Sequence, residues 1–170
     1  LAASIARRAI VPAGSNGVRL VHGESDGIPG LVVDRYADVA VVQVLSAGAE
    51  RWRETWAPAI VEATGVKCVY ERSDAEVRTL EGLPPRVGPM LGVASAAVRI
   101  EEDGIAYEVD VARGQKTGFY LDQRENRALA MSLAGDADVL NGFCYTGGFS
   151  LSALKGGARH VDSIDTSGEA

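Results

Sequence analysis

From Val18 to Glu102 the apolar positions come in short blocks with near-alternation, the spacing of strands. "VRLVH" (18–22), "GLVVDRY" (30–36) and "DVAVVQVL" (38–45) are β-rich runs. The turn-rich "GESDGIPG" (23–30) separates the first two, and almost nothing separates the others, which predicts a tight hairpin around Ala37 and Asp38. "AGAERWRETWAPAIVEATG" (47–65) changes period and predicts a helix with Trp52, Trp56, Ile60 and Ala63 on its buried face. Gly65 stands where such a helix stops, and Pro58 should kink it by removing one backbone hydrogen bond. "KCVYER" (67–72) returns to strand, and "AAVRIEEDGIAYEVDV" (96–111) predicts a hairpin turning at Asp103-Gly104. With an opening helix over 1–9, residues 1–112 form a small α+β domain.

From Arg113 onward the pattern becomes βα. "LDQRENRALAMSLAG" (121–135) predicts a helix, "ADVLNGF" (137–143) a short buried strand, "FSLSALKGGA" (149–158) a helix and "RHVDSID" (159–165) a second strand. Strand, helix and strand within about thirty residues imply a crossover and a parallel sheet, the opening of an α/β Rossmann-like domain over 113–170. The polar, glycine-bracketed "ARGQKTG" (112–118) is the candidate link.

Composition narrows the classes. An apolar content of 46% in 170 residues suffices for real cores, and no apolar run is long enough to span a bilayer. The start lacks both an initiator methionine and the pattern of a secretory signal, so the chain reads as a piece of a longer protein. Cys68 and Cys144 have no metal spacing and suit a reducing, cytoplasmic setting. A net charge of −6 gives no global pull on a phosphate backbone, so nucleic-acid contact would need a local patch. Arg51, Arg53, Arg72, Arg78 and Arg86 could supply one, or could equally form a solvated face with the glutamates among them. His22 reads as a turn residue, His160 as a strand flank, Cys68 as packing and Cys144 as a loop residue. The acidic "ESD" and "ERSD" stretches read as turns or ion pairs rather than metal ligands.

The chemistry concentrates in "NGFCYTGGF" (141–149). It lacks the Gly-x-Gly-x-x-Gly spacing of a dinucleotide loop and the lysine of a phosphate loop. Its paired glycines still allow a sharp turn and a ligand lying against bare backbone. Asp165, ending the second strand, stands where a carboxylate could accept hydrogen bonds from both hydroxyls of a ribose. Ribose recognition without a pyrophosphate cradle points to S-adenosyl-L-methionine.

These segments also carry a resemblance. "GQKTGFYLDQRENR" (114–127), "VLNGFCYTGGFSLSAL" (139–154) and "IDTSGEA" (164–170) resemble the RlmI-type 5-methylcytosine methyltransferases of large-subunit ribosomal RNA. "VHGESDGIPGLVVDRY" (21–36), "LSAGAE" (45–50) and "ERSDAEVRTLEGL" (71–83) are similar to that family's middle domain, so the likeness covers nearly the whole chain. It implies an RNA-binding domain ahead of these residues, a β-β-α-β-β-like middle domain, and a Rossmann-like methyltransferase domain. Carried over by position, Asn141, Phe143, Tyr145, Thr146, Gly147 and Gly148 would lie under the methionine part of the cofactor, and Asp165 would hold its ribose. Lys116, Thr117, Tyr120, Asp122, Gln123 and Arg124 would form a strip covering the site. The implied partner is 23S ribosomal RNA, with the middle domain helping to present it and no membrane involved.

In the family a cysteine late in the catalytic domain adds to carbon 6 of cytosine, and an Asp-Pro-Pro motif helps position the base. Neither lies in residues 1–170: Pro84-Pro85 follows Leu83, and Cys144 falls in the cofactor loop. The 170 residues by themselves are therefore expected to bind cofactor poorly and to catalyse nothing. Because two catalytic strands alone would expose edges and an apolar face, the last fifty or so residues are expected to be poorly ordered or paired between copies, which makes a homodimer conceivable. Two other readings stay open: a related methyltransferase acting on guanine, and a non-catalytic RNA-binding or assembly module.

Overall fold

A computed structural model describes residues 1–8, 14–93 and 97–167. Residue 9 of the expected opening helix, residue 96 of the expected hairpin and residues 168–170 of the last motif lie outside the described residues. The chain divides into two compact units, Leu1–Phe119 and Tyr120–Ala170. The division falls later than the link read at 112–118, because that segment folds into the first unit.

The first unit is built on a five-stranded sheet of order β1-β2-β3-β4-β5. After helix α1 (Ala2–Arg7) come β1 (Gly17–His22), β2 (Leu31–Tyr36) and β3 (Val39–Val44), which run as an antiparallel meander. The β2–β3 hairpin turns at Ala37-Asp38, and Ala37 takes φ 51° there. Helices α2 (Ala47–Glu50) and α3 (Arg53–Thr64) carry the chain over to β4 (Cys68–Ser73), which pairs parallel with β3. Helix α4 (Val77–Leu80) leads to β5 (Arg86–Leu91), antiparallel to β4. A separate hairpin of β6 (Val98–Glu102) and β7 (Ile105–Val109) follows.

Strand alternation gives the sheet two different faces. Leu31 and Val33 of β2, with Ala40, Val42 and Val44 of β3 and Val69 of β4, join Ala57 and Ile60 of α3 in the core. Asp34 and Tyr36 alternate to the opposite face, and the register places Asp34, Val41 and Tyr70 side by side across three strands. Both faces of β3 are covered, which explains why "VAVV" reads as a continuous apolar run.

Three expectations change. The helix over 47–65 is two helices, interrupted at Arg51-Trp52, while α3 continues through Pro58. Trp52 caps the second helix and is 56% exposed, so it is not a core residue; Trp56 packs against the core, and its Nε1 donates to Ala49 O. The sheet also gains β5 and α4, so the architecture is richer than the β-β-α-β-β-like outline.

The second unit contains α5 (Arg124–Leu133), β8 (Asp138–Gly142), α6 (Gly148–Lys155) and β9 (His160–Ile164), with β8 and β9 paired in parallel. This is the βαβ unit read from the spacing. Among the described residues no helix is long and apolar enough to cross a membrane.

Candidate functional site

The loop between β8 and α6 gathers three residues of unusual backbone. Phe143, Tyr145 and Gly147 all take positive φ, at 58°, 48° and 77°. Two of these are non-glycine residues, and such conformations persist only where the surroundings enforce them. Here the enforcement comes from β9. Cys144 N–H donates to Ile164 O at 3.2 Å, and Tyr145 N–H donates to Asp165 Oδ2 at 2.8 Å. Gly147 N–H donates back to Cys144 O at 2.9 Å, and Gly147 O accepts from Leu151 N–H in the first turn of α6.

Asp165 thus anchors the loop. Its other oxygen, Oδ1, accepts from Ser167 N–H at 2.9 Å. Hydrogen bonds from the Ser167 and Tyr145 amides hold its carboxyl below the usual carboxylate range. Each carboxylate oxygen has a further lone pair, so the half-buried Asp165 can still accept from two adjacent hydroxyls.

Asn141 has a different task. Its Nδ2 donates to Ser150 Oγ at 2.8 Å, and Ser150 Oγ lies 2.6 Å from Ser163 Oγ. That chain ties β8, α6 and β9 together beneath the loop. Gly148 is buried as the first residue of α6, while Thr146 and Phe143 are exposed.

The strip residues divide between the units. Tyr120 belongs to the second, where its ring meets Tyr145 edge-on at a centroid distance of 5.6 Å. Its carbonyl accepts from Arg127 Nη1 at 3.0 Å. Asp122 and Gln123 form a single helical turn before Arg124 opens α5. Gln123 Oε1 accepts from Asn126 Nδ2. Lys116 and Thr117 belong to the first unit. Lys116 is exposed at φ 56°, whereas Thr117 is fully buried with its hydroxyl bonded to Asp34 and Tyr36. Thr117 can therefore offer a ligand no side-chain contact.

Sequence reading missed Arg127, Ser150 and Ser163. A buried arginine on an amphipathic helix gives no distinct signal, and serines that bridge three elements are visible only once those elements pack. The arginines read as a possible phosphate patch are mostly engaged internally. Arg53 pairs with Glu71 at 2.6 Å, Arg78 with Glu50 at 2.9 Å, Arg86 with Glu50 at 3.3 Å and Arg72 with Asp74 at 3.3 Å. Burial pushes the Cys68 thiol up, as suits a packing residue. Among the described residues no cluster of side chains suits a metal ion.

The strained loop, the half-buried acceptor at the end of β9 and the Tyr120–Tyr145 pair form a set of groups suited to a nucleoside with free ribose hydroxyls. A ribosomal RNA large subunit methyltransferase I from Shewanella frigidimarina is 52% identical over 155 residues, covering 91% of this chain and 39% of the relative. A Streptococcus mutans protein assigned to the S-adenosylmethionine-dependent methyltransferases superposes with a TM-score of 0.83 at 26% identity, covering 98% of this chain and 43% of that one. SMU.776, solved with SAH, superposes with a TM-score of 0.78 at 27% identity, covering 91% of this chain and 39% of that one. The chain thus spans about two fifths of the length of these relatives. A family model described as S-adenosylmethionine-dependent methyltransferase matches residues 53–169, and the chain belongs to that family.

Proposed function

We propose that these residues are part of an enzyme that methylates cytosine carbon 5 in large-subunit ribosomal RNA with S-adenosylmethionine. The observation that carries the cofactor part of this reading is Asp165. It is ionised, half-buried and fixed by two backbone amides beside a loop of forced positive φ. In this reading its carboxylate accepts from both ribose hydroxyls. Gly147, Gly148 and the backbone of 143–146 give the methionine part a close approach unhindered by side chains. Tyr145 and Tyr120 supply aromatic faces that a sulfonium cation favours. Asn141 shapes the loop from beneath through Ser150. Asp122, Gln123 and Arg124 complete the covering strip, with Lys116 and Thr117 preceding it in the chain.

The cofactor brings a methyl group made electrophilic by the positive sulfur. What the protein must add is position: a fixed ribose, a fixed loop and water kept from the reacting carbon. The large-subunit RNA substrate comes from the name of the 52%-identical relative. Cytosine carbon 5 comes from the family resemblance of the "KTGFYLDQR" and "YTGGF" segments. In that assignment the nucleophilic cysteine and the Asp-Pro-Pro motif do not come from residues 1–170.

Calorimetric titration with S-adenosylhomocysteine tests the cofactor site. Binding should be measurable and fall at least about tenfold in Asp165→Ala, since two ribose hydrogen bonds to a charged acceptor are lost. Equal binding by Asp165→Ala would remove the ribose role. Methyl incorporation into 23S RNA by the full-length protein, followed by nucleoside analysis, distinguishes 5-methylcytosine from a methylated guanine.

A further inference from the structure

The loop 110–119, between β7 and the second unit, is held by more contacts than a surface connection needs. Asp110 Oδ1 accepts from the amides of Ala112 and Arg113, both at 2.8 Å. Arg72 Nη1 donates to Val111 O at 3.2 Å and to Gly114 O at 3.1 Å. Gly114 and Gly118 close the loop so tightly that a Cβ on Gly114 would lie 2.8 Å from Gly118 Cα, and one on Gly118 would lie 2.6 Å from Val109 Cγ1. Phe119 packs its ring on Tyr107 at 5.0 Å.

Beneath this loop lies a buried polar chain whose direction can be worked out by counting protons. Thr117 Oγ1 is 2.5 Å from Asp34 Oδ2 and 2.7 Å from Tyr36 OH. A carboxylate only accepts, so the single threonine proton goes to Asp34. Tyr36 must then donate to Thr117, which leaves its oxygen to accept from Phe119 N–H at 3.2 Å. Asp34 terminates the chain, balanced by Arg19, its direct cross-strand neighbour, through Nε at 2.7 Å and Nη2 at 2.8 Å. Asp34, Tyr36 and Arg72 all project from the sheet face opposite the α3 core.

We propose that Asp34, Tyr36 and Arg72 are positioning residues, acting through Thr117 and the loop carbonyls to hold 110–119 in the one shape that presents Lys116 for cofactor binding. The clamp explains why Lys116 can sit exposed at φ 56°, a conformation its own side chain disfavours. It also gives the "VVDRY" and "ERSD" segments a role beyond folding their own strands. That Lys116 serves the cofactor rests on the proposed function; that the clamp shapes the loop does not.

Amide exchange on the 170-residue chain and ligand titration on the full-length protein separate the two. In Thr117→Val, which keeps the volume and removes the hydroxyl, the amides of Gly114, Gly118 and Phe119 should exchange about tenfold faster, while β2, β3 and β4 are unchanged. Thr117→Ser should restore protection, and Arg72→Met should expose Gly114 in the same selective way. Unchanged loop exchange, or an equal loss across the whole sheet, overturns the clamp. Tyr36→Phe removes the donor to Thr117 and the acceptor for Phe119 N–H but keeps the Thr117–Asp34 bond, so a selective loss of Phe119 protection there gives the reading if Thr117→Val fails to fold. Affinity for S-adenosylhomocysteine should fall about tenfold in Thr117→Val and return in Thr117→Ser. An affinity unchanged despite a loosened loop overturns the positioning role. Full-length wild-type protein that binds no S-adenosylhomocysteine overturns the proposed cofactor site, leaving the exchange pattern to judge the clamp.

Discussion

Gly156 shows how little room one residue can have. A Cβ there would lie 2.0 Å from Met131 O and 2.8 Å from Met131 C, so α6 could not keep its approach to α5 with any side chain at that position. The obstacle is backbone and cannot rotate away. Gly156→Ala should therefore destabilise the second unit by about 1–3 kcal/mol, the usual cost of overpacking. Gly135→Ala, whose Cβ would meet Gly156 O at an ordinary 3.8 Å, is the near-neutral control. Amide exchange in β8 and β9 is the measurement, because both tryptophans, Trp52 and Trp56, lie in the first unit and report only on it. Asp165 carries a different single-residue consequence. Its carboxyl is held below the usual range, so the charged acceptor is present above about pH 4 and is lost only as pH falls through that lowered value. Affinity for S-adenosylhomocysteine should be flat between pH 7 and pH 5; a decline already under way at pH 6 would point to a different titrating group.

At the scale of elements, one carboxylate adds a polar tie to α1, whose Leu1 and Ile5 pack against the core of the first unit. Asp26 accepts from His22 N–H at 2.6 Å, pairs with Arg7 at 3.1 Å and bonds Arg8. Burial opposes its charge, yet the His22 amide and the Arg8 and Arg7 guanidinium groups hold its carboxyl below the usual range. A depressed pKa contributes stability that is complete above the unfolded value and lost as pH falls through the folded one. Protection of the Ile5 and Arg8 amides, relative to β2 and β3, should hold from neutral pH down to about pH 4 and fall below it. Asp26→Asn should lack that protection at every pH. The elements themselves were unequally legible. β2 and β3 are clear because they are buried and β-branched. β5 is silent, since "RVGPML" has glycine and proline at its centre and an exposed edge position that tolerates both. The break at Arg51-Trp52 is hidden too. Ser46 caps α2 by accepting from Ala49 N–H while donating to Pro29 O, so the short helix is set by a contact with the β1–β2 connection. Periodicity alone merges it with α3 and puts Trp52 on the wrong face.

For the molecule as a whole, the candidate loop was more legible than its supports. Paired glycines and a strand-end aspartate mark the loop between β8 and α6 and its anchor because those residue types are tied to backbone geometry. Thr117 bonds Asp34 and Tyr36, more than eighty residues away, and Ser150 bonds residues of two other elements, so nothing local announces those contacts. The same asymmetry appears in stability. The fully buried apolar side chains, among them Leu31, Val33, Val41, Val42, Val44, Ile60 and Val69, lie in the first unit. In the second, among the described residues, Ala134 and Ala153 are the buried apolar ones, while Leu133, Leu140 and Ile164 are mostly exposed. Two units with such different cores should not unfold as one. Without ligand, amides of β8 and β9 should exchange roughly two orders of magnitude faster than those of β2 to β4, and equal protection would contradict this. Ligand changes the comparison in one place. S-adenosylhomocysteine at a hundred times its Kd stabilises whatever binds it by about 2.7 kcal/mol, which slows exchange roughly a hundredfold. If Asp165 and the 143–147 loop hold the nucleoside, that slowing belongs to β8, β9 and α6, with the first-unit sheet unaltered. The site would then gain order from the cofactor, because the apolar side chains around it, Leu140 and Ile164 among them, are too exposed to hold β8 and β9 as firmly as the first-unit sheet.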